Sequence, residues 1–169
     1  MIGRWTPLSI ASENNNTKMV SLLLKIGENV NQVDEVGFTP LYIASQKGYV
    51  EVVSLLLNHG ANVNQTNKFG VSPLYIASCN DYVEVVSLLL NHGANVNQAD
   101  NNGCTPLYIA SENGNVEVVS SLLNYGSNIH YKSKKGDSAL SLSFKTSSFK
   151  TCTPIGILLL KFNGKLFLQ

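Results

Sequence analysis

The stretch TPLYIASQKGYVEVVSLLLNHGANVNQ, residues 39–65, decides the fold because it recurs along the chain. It returns at a spacing of 33 as SPLYIASCNDYVEVVSLLLNHGANVNQ at residues 72–98, and more loosely as TPLYIASENGNVEVVSSLLNYGSNIHY at residues 105–131. A shorter relative, PLSIAS, begins at Pro7. Self-similarity at a fixed period of this length is the signature of a stacked repeat architecture.

Each copy of the repeat predicts two short helices and a loop. Thr39, Ser72 and Thr105 each precede a proline, which suits an N-cap hydroxyl followed by Pro at the first helical position. The segment VEVVSLLLN is apolar around most of its circumference, so we expect the second helix to be packed between neighbours. A polar stretch such as residues 62–70 then predicts an extended, hairpin-like finger.

Two further sets of equivalent positions, which we call columns, recur every 33 residues and predict left-handed backbone. Glycine adopts this conformation most easily, and Asn and Asp tolerate it better than most residues. The two columns are Asn15, Gly48, Asp81 and Gly114 between the two helices, and Gly27, Gly60, Gly93 and Gly126 after the second helix. Both columns are therefore interpreted as backbone requirements of the repeat.

The period, the Thr-Pro-Leu start, the two helices and the Gly-Ala-x-x-Asn finger together closely resemble the ankyrin repeat, whose signature is 33 residues with T-P-L-H-x-A. The resemblance implies an all-α repeat solenoid of helix-turn-helix units with hairpin fingers, about four and a half to five repeats in number. One domain is expected over residues 1–169. Its expected divisions are 3–27 as a partial repeat, 28–60, 61–93 and 94–126 as full repeats, 127–164 as a degenerate repeat with an enlarged inter-helix loop, and 165–169 as an apolar tail.

The sequence departs from the family pattern in two columns. Where the family usually has a histidine that hydrogen-bonds to the backbone between repeats, this chain has Tyr42, Tyr75 and Tyr108. Asparagine replaces the usual aspartate after Gly-Ala, which removes negative charge from the fingers. The asparagines of that second column are Asn29, Asn62, Asn95 and Asn128.

Composition argues against several function classes. A net charge of +1 and a charged fraction of 14% create no field that would attract nucleic acid or a membrane surface, so neither is an expected partner. No apolar run reaches about 20 residues, and residues 1–6 lack the basic-then-apolar pattern of a secretion signal, so we expect neither a membrane span nor a signal peptide. Three cysteines without a close pair, Cys79, Cys104 and Cys152, favour an intracellular, cytoplasmic location and small apolar roles over a disulfide framework, a zinc site or a redox device.

The histidines provide the first test for metal binding or catalysis. His59 and His92 occupy equivalent positions, but a repeat rise of about 10 Å is too long for two imidazoles to share one zinc ion. Each lies just before a capping glycine, where a cation is favourable, so helix capping is preferred over metal binding. His130 is interpreted in the same way. We find no combination of nucleophile, base and orienting acid, and expect no catalysis and no cofactor.

Residues that differ from one repeat to the next are the best candidates for a specific function, because the repeat pattern does not determine them. The resemblance implies that a protein or peptide partner binds the concave face formed by finger tips and first helices, through positions that vary between repeats. Two such positions are the residue before the Thr-Pro start and the pair before the finger glycine. The candidate partner-binding residues are Trp5, Glu35, Val36, Phe38, Lys68, Phe69, Val71, Asn101, Asn102, Cys104, Lys134 and Lys135.

Alternatives remain for the site and for the function. Trp5, Phe38 and Phe69 either contact a partner, with Phe38 or Phe69 as central anchors, or pack on their own fingers. The leading hypothesis is a protein-interaction module, scaffold or adaptor. The second is a structural segment of a longer repeat array, or self-association through the apolar end at residues 166–168. A third, the targeting arm of an enzyme, would require a catalytic domain outside these 169 residues.

Overall fold

A computed structural model of the protein describes residues 5–145 and 154–165, and ten helices lie within these ranges. They are α1 (Pro7–Glu13), α2 (Thr17–Lys25), α3 (Pro40–Lys47), α4 (Val50–Asn58), α5 (Pro73–Cys79), α6 (Val83–Asn91), α7 (Pro106–Asn113), α8 (Val116–Asn124), α9 (Ala139–Lys145) and α10 (Pro154–Lys165). The first eight helices form four pairs, each joined by a short turn, and a finger precedes each first helix from α3 onwards.

The predicted helix starts are confirmed. The Thr39 hydroxyl accepts a hydrogen bond from the Tyr42 N–H at 3.0 Å, and Pro40 occupies the first helical position. Ser72 and Thr105 cap α5 and α7 in the same way. Each such cap stabilises its helix by about 1 kcal/mol, so the hydroxyl column fixes where every first helix begins.

The predicted left-handed columns are also confirmed. All four residues between the helices of a pair, and all four glycines after the second helix, have positive φ. Asp81 is the clearest case, because φ is +62° at a residue that carries a side chain. This conformation is less stable by about 1 kcal/mol or more for a residue with a Cβ atom, and Asp tolerates it better than most residue types.

The helices form two layers that enclose one continuous core. The first helices (α1, α3, α5, α7, α9) each pack on the next, as do the second helices (α2, α4, α6, α8, α10). The first layer buries a column of leucines, and the second buries a valine column and a leucine column completely. These core residues are Leu8, Leu41, Leu74, Leu107, Val52, Val85, Val118, Leu56, Leu89 and Leu122. The all-α repeat solenoid is therefore confirmed.

Asparagine side chains join successive repeats outside the apolar core. The Asn31 Oδ1 atom accepts a hydrogen bond from the Asn62 N–H at 2.7 Å, and Asn64 binds the Asn95 N–H in the same way, also at 2.7 Å. A third bond, from the Asn128 N–H to Asn97, continues the series at 2.8 Å. These bonds align neighbouring repeats without burying any charge.

The last repeat differs from the others between its helices. Residues 146–153 separate α9 from α10, whereas only Gly114 and Asn115 separate α7 from α8. The expected extra loop residues around Lys145–Thr151 fall almost entirely outside the described residues, and so does the apolar tail at residues 166–168. Within the described ranges, no helix has both the length and the apolarity to cross a bilayer.

Candidate interaction surface

Each finger is closed by a side chain at its base. The Asp34 Oδ1 atom accepts hydrogen bonds from the Val36 and Phe38 N–H groups at 2.9 and 2.8 Å. Asn67 and Asp100 make the same pair of bonds in the next two fingers. A carboxylate and an amide both present an acceptor oxygen, so the residue type can change while the turn is preserved.

Neighbouring fingers are tied together by their backbones. The Lys68 N–H donates to the Val36 carbonyl at 3.1 Å, the Asn101 N–H to the Phe69 carbonyl at 3.0 Å, and the Lys134 N–H to the Asn102 carbonyl at 2.8 Å. Such bonds require close approach. The tips therefore form a connected row whose backbone positions are fixed before any partner arrives.

The twelve candidate residues divide into two groups by burial. The residues before the Thr-Pro start are half-buried where the finger meets the first helix, and those at the tips are exposed. The half-buried residues are Trp5, Phe38, Val71 and Cys104; the exposed ones are Glu35, Val36, Lys68, Phe69, Asn101, Asn102, Lys134 and Lys135. The structure thus brings the tip residues together in one row along the fingers.

The aromatic candidates differ in their surroundings. The Phe38 ring stacks on the Tyr42 ring of its own repeat, with centroids 4.6 Å apart and an interplanar angle of 3°. Phe69 is 61% exposed, and the nearby Val36 is 37% exposed. Local packing thus accounts for Phe38, whereas Phe69 presents apolar surface to solvent.

The tyrosine column lies beside the following finger. Burial raises the pKa of Tyr42, and the Asn67 side chain at the base of the next finger opposes the rise. Burial also raises the pKa of Tyr75, with Asp100 of the following finger adding to the effect. The Tyr42 and Tyr75 side chains therefore lie near the base of the following finger.

Opposite charges meet around Cys104 on the concave face. Burial, together with the nearby Asp100 and Glu112 carboxylates, raises the pKa of the Cys104 thiol to about 11, and Lys135 opposes them. A thiol with this pKa is almost entirely protonated at neutral pH and is a poor nucleophile. Cys104 is accordingly a lining residue of the surface, with no environment that activates it. Cys79 is also a free thiol, and Cys152 lies outside the described residues.

Two asparagines among the candidates have structural tasks. The Asn101 side-chain amide donates to the Lys68 carbonyl at 3.0 Å, which reinforces the bonds between fingers. The Asn102 amide contacts the Asp100 carboxylate at 3.3 Å within its own finger. Both side chains remain exposed, but their positions are set by these bonds and not by a partner.

His59 and His92 cap helices, as predicted, whereas His130 lies in the stretch after α8, where its N–H donates to the Asn128 Oδ1 atom at 2.9 Å. The Nδ1 atom of His59 lies 2.8 Å from the Leu55 carbonyl, and that of His92 lies 2.8 Å from the Leu88 carbonyl. A carbonyl can only accept, so the tautomer with hydrogen on Nδ1 is assigned to both rings. In the described part of the chain, His, Cys, Asp and Glu side chains form no group of three that could hold a metal ion.

Sequence reasoning missed the asparagines that connect repeats. Asn80 and Asn113 donate from their side chains to the carbonyls of Gln46 and Cys79 in the preceding repeat, each at 2.9 Å. The Asn31, Asn64 and Asn97 series is a second such set. Recurrence at 33 residues was the available signal, but recurrence alone does not say which backbone group a side chain reaches.

Comparison with known proteins agrees with this architecture. A family model described as ankyrin repeats, in three copies, matches residues 2–67 and 60–135. A search of curated proteins finds no significant match. Because the family match spans well over half of the 169 residues and the stacked helix pairs fit it, the chain belongs to the ankyrin-repeat family.

Proposed function

We propose that this chain is a protein-interaction module that holds a partner protein or peptide on the concave surface formed by its finger tips and first helices. Ankyrin repeats are generally protein–protein interaction modules, and the family is typically non-enzymatic. The observation that carries the proposal is the exposure of the Phe69 side chain on a fixed finger. Its ring is 61% exposed, while the finger backbone beneath it is hydrogen-bonded to the fingers on both sides.

A rigidly held aromatic side chain is an efficient anchor for a partner. Ordering a flexible loop costs free energy on binding. Here the backbone bonds from Lys68 to Val36 and from Asn101 to Phe69 already order the finger in the free chain, so binding does not incur that cost. Val36 extends the apolar surface on the adjacent finger. Adjacent exposed apolar groups of this kind mark partner sites, and buried aromatic anchors dominate binding free energies. Phe38 acts behind this surface, as a support stacked on Tyr42.

Charge and cysteine chemistry support a protein partner and a reducing location. The tips carry both signs, with Glu35 on one finger and Lys134 and Lys135 on another, and the net charge is only +1. This pattern is unlike the basic surfaces that neutralise nucleic-acid phosphates. Cys79 and Cys104 are free thiols, which supports an intracellular scaffold or adaptor in the cytoplasm.

Affinity capture from cells, followed by cross-linking and mapping of the contacts, tests the proposal. We expect cross-links at the finger tips, and we expect Phe69→Ala to weaken binding by about 2 kcal/mol, or roughly 30-fold. Ile26→Ala is the matched control, because Ile26 is even more exposed but lies at the end of α2, away from the fingers. Contacts confined to the second helices, or unchanged affinity in Phe69→Ala, would contradict the proposal.

A second candidate function is self-association, or a structural place within a longer array of repeats. Met19 is 43% exposed, although its counterparts Val52, Val85 and Val118 are completely buried inside the stack. At the other end of the stack, α10 exposes Ile157 and Leu160. Both ends thus resemble interior faces of the stack that lack a neighbouring repeat.

Light scattering over a range of protein concentrations tests this second candidate. We expect reversible growth in mass, abolished by Met19→Asp at one end or Leu160→Asp at the other. A monomer at every concentration would count against self-association. Lys18→Asp, on an exposed position of α2, serves as the control for the added charge.

A further inference from the structure

A groove lies on the concave face between α7 and the finger at residues 132–137. Its volume is about 400 Å³, and it is lined by Asn102, Cys104, Tyr108, Glu112, Ser133, Lys134 and Lys135. We call it the C-terminal groove. Its size suits one or two side chains of a partner, since a whole helix is about 10–12 Å across.

The C-terminal groove contains opposite charges that are not matched with each other. Lys134 and Lys135 are exposed on the finger side, and Glu112 is exposed on the helix side. The salt bridge found among the described residues joins Lys47 to Glu13 and lies elsewhere. Lys134 and Lys135 therefore offer two ammonium groups to a carboxylate from outside, while Glu112 can accept a partner N–H.

The base of the groove is polar and already ordered. Ser133 is only 6% exposed, and its N–H donates to the Asp137 carbonyl at 2.8 Å. The Lys134 N–H is bonded to the Asn102 carbonyl. The two lysines therefore project from a backbone that does not have to rearrange, which favours recognition of a charge at a defined place.

The tip side chains change from apolar to basic along the row of fingers. The equivalent tip position is held by Val36, Phe69, Asn102 and Lys135 in successive fingers, so the row is apolar at one end and basic at the other. Successive repeats are about one helix diameter apart, so roughly 20 Å separate the Phe69 and Lys135 fingers. An extended chain covers that distance in about six residues at roughly 3.3 Å per residue.

Building on the proposed interaction function, we propose that the partner contributes an extended segment with an apolar side chain on Phe69 and Val36 and an aspartate or glutamate on Lys134 and Lys135. The apolar and acidic residues of this segment are about six positions apart, because six extended residues cover the roughly 20 Å between the two fingers. Charge complementarity decides the acidic end: the lining residues include two exposed lysines and one glutamate, and the nearby Asp100 carboxylate already accepts hydrogen bonds from the N–H groups of its own finger. The apolar end follows from the exposure of Phe69.

Selection from a displayed library of random twelve-residue peptides, carried out on the intact chain, tests this assignment. We expect enriched peptides to combine an aromatic or aliphatic residue with an acidic residue about six positions away. A synthetic peptide of the enriched sequence is then measured by fluorescence anisotropy. The double change Lys134→Glu with Lys135→Glu is expected to weaken its binding about tenfold or more.

The control for charge is Lys18→Glu with Lys25→Glu on α2, which makes the same change at exposed positions away from the fingers. Circular dichroism and urea unfolding establish that each variant is folded. Milder substitutions, Lys134→Gln with Lys135→Gln, are expected to give an intermediate loss. Binding should also weaken with added salt, because exposed ion pairs are screened.

The possible failures are distinguishable. Enriched peptides that depend on Phe69 but carry no acidic residue, or that ignore the lysine changes, overturn this assignment and leave the interaction function standing. The absence of any enriched peptide counts against the interaction function itself, and this assignment falls with it. Equally tight binding of a twelve-residue uridine RNA, abolished by the lysine changes, would replace the peptide with a nucleic-acid ligand.

Discussion

The Asn64 side chain accepts a hydrogen bond from the Asn95 N–H at 2.7 Å, across the boundary between two repeats and 31 residues along the chain. The Asn64 amide also lies 3.3 Å from the Gly93 carbonyl. One side chain thus binds both an N–H and a carbonyl that follow the end of α6. Helix ends leave such groups without intrahelical partners, so this asparagine both satisfies the backbone and fixes the register of the stack.

Removing that side chain should weaken the stack. We expect Asn64→Ala to lower the free energy of unfolding by about 1 kcal/mol, because water replaces the lost bonds only in part. Asn64→Asp keeps the acceptor oxygen and should lose less. Urea unfolding followed by circular dichroism gives both values. Gln32→Ala, at an exposed position, is the control, and an equal loss in that variant would refute the role of Asn64.

Gly60 and Gly70 require glycine for different reasons: Gly60 for its backbone conformation alone, and Gly70 also because a neighbouring finger lies close to it. Both have positive φ, but a Cβ on Gly70 would lie 2.6 Å from the Asn101 Oδ1 atom and 2.8 Å from its backbone nitrogen, whereas nothing lies within 4 Å at Gly60. We expect Gly60→Ala to cost about 1 kcal/mol and Gly70→Ala to cost roughly 2–3 kcal/mol in unfolding free energy. Equal losses in urea unfolding would show that the fingers separate without cost.

Ser78 offers a stabilising change. Its side chain is completely buried, and its hydroxyl has no hydrogen-bond partner among the described residues. Alanine removes the unpaired group and favours the helix, so we expect Ser78→Ala to raise stability by about 1 kcal/mol and the melting temperature by roughly 2–4 °C. Ser87→Ala is the matched control, because the Ser87 hydroxyl already donates to the Val83 carbonyl at 2.9 Å. A lower melting temperature in Ser78→Ala would contradict this prediction.

Stability should fall in alkaline solution. Burial raises the pKa values of Cys104 and of Tyr42, Tyr75 and Tyr108, so the folded chain holds protons that the unfolded chain releases at lower pH. For Cys104 the contribution is complete below about pH 9 and is lost as the pH rises towards its folded pKa of about 11. After allowance for solvent screening, we expect this thiol to account for on the order of 1 kcal/mol.

Urea unfolding between pH 8 and pH 11 measures that decline. Cys104→Ser and Tyr75→Phe should each make the decline shallower, because each removes one group that titrates differently in the two states. Ser87→Ala removes no titratable group in this range and should leave the slope unchanged. A slope that is the same in all four proteins would show that these buried groups do not govern the alkaline loss.

Much of the fold could be predicted because the rules that set it are local. An N-cap hydroxyl such as Thr39 acts on the N–H group three residues later. The left-handed turn at Asp81 likewise depends on one residue and its immediate neighbours. Repetition of these signals at a period of 33 then implied stacking, since a helix apolar on most faces must be covered. The sequence also indicated which columns vary, and therefore where a partner surface should be sought.

The sequence by itself determined the repeat, the caps and the turns, because each depends on residues close together in the chain or on their recurrence. Only the tertiary structure separated Phe38, which stacks on Tyr42, from Phe69, which faces solvent. It alone brought Glu112 of one repeat to the same groove as Lys134 and Lys135 of the next. The physical reason is that exposure and charge pairing depend on distances between repeats, and residues more than twenty positions apart become neighbours only when the stack forms.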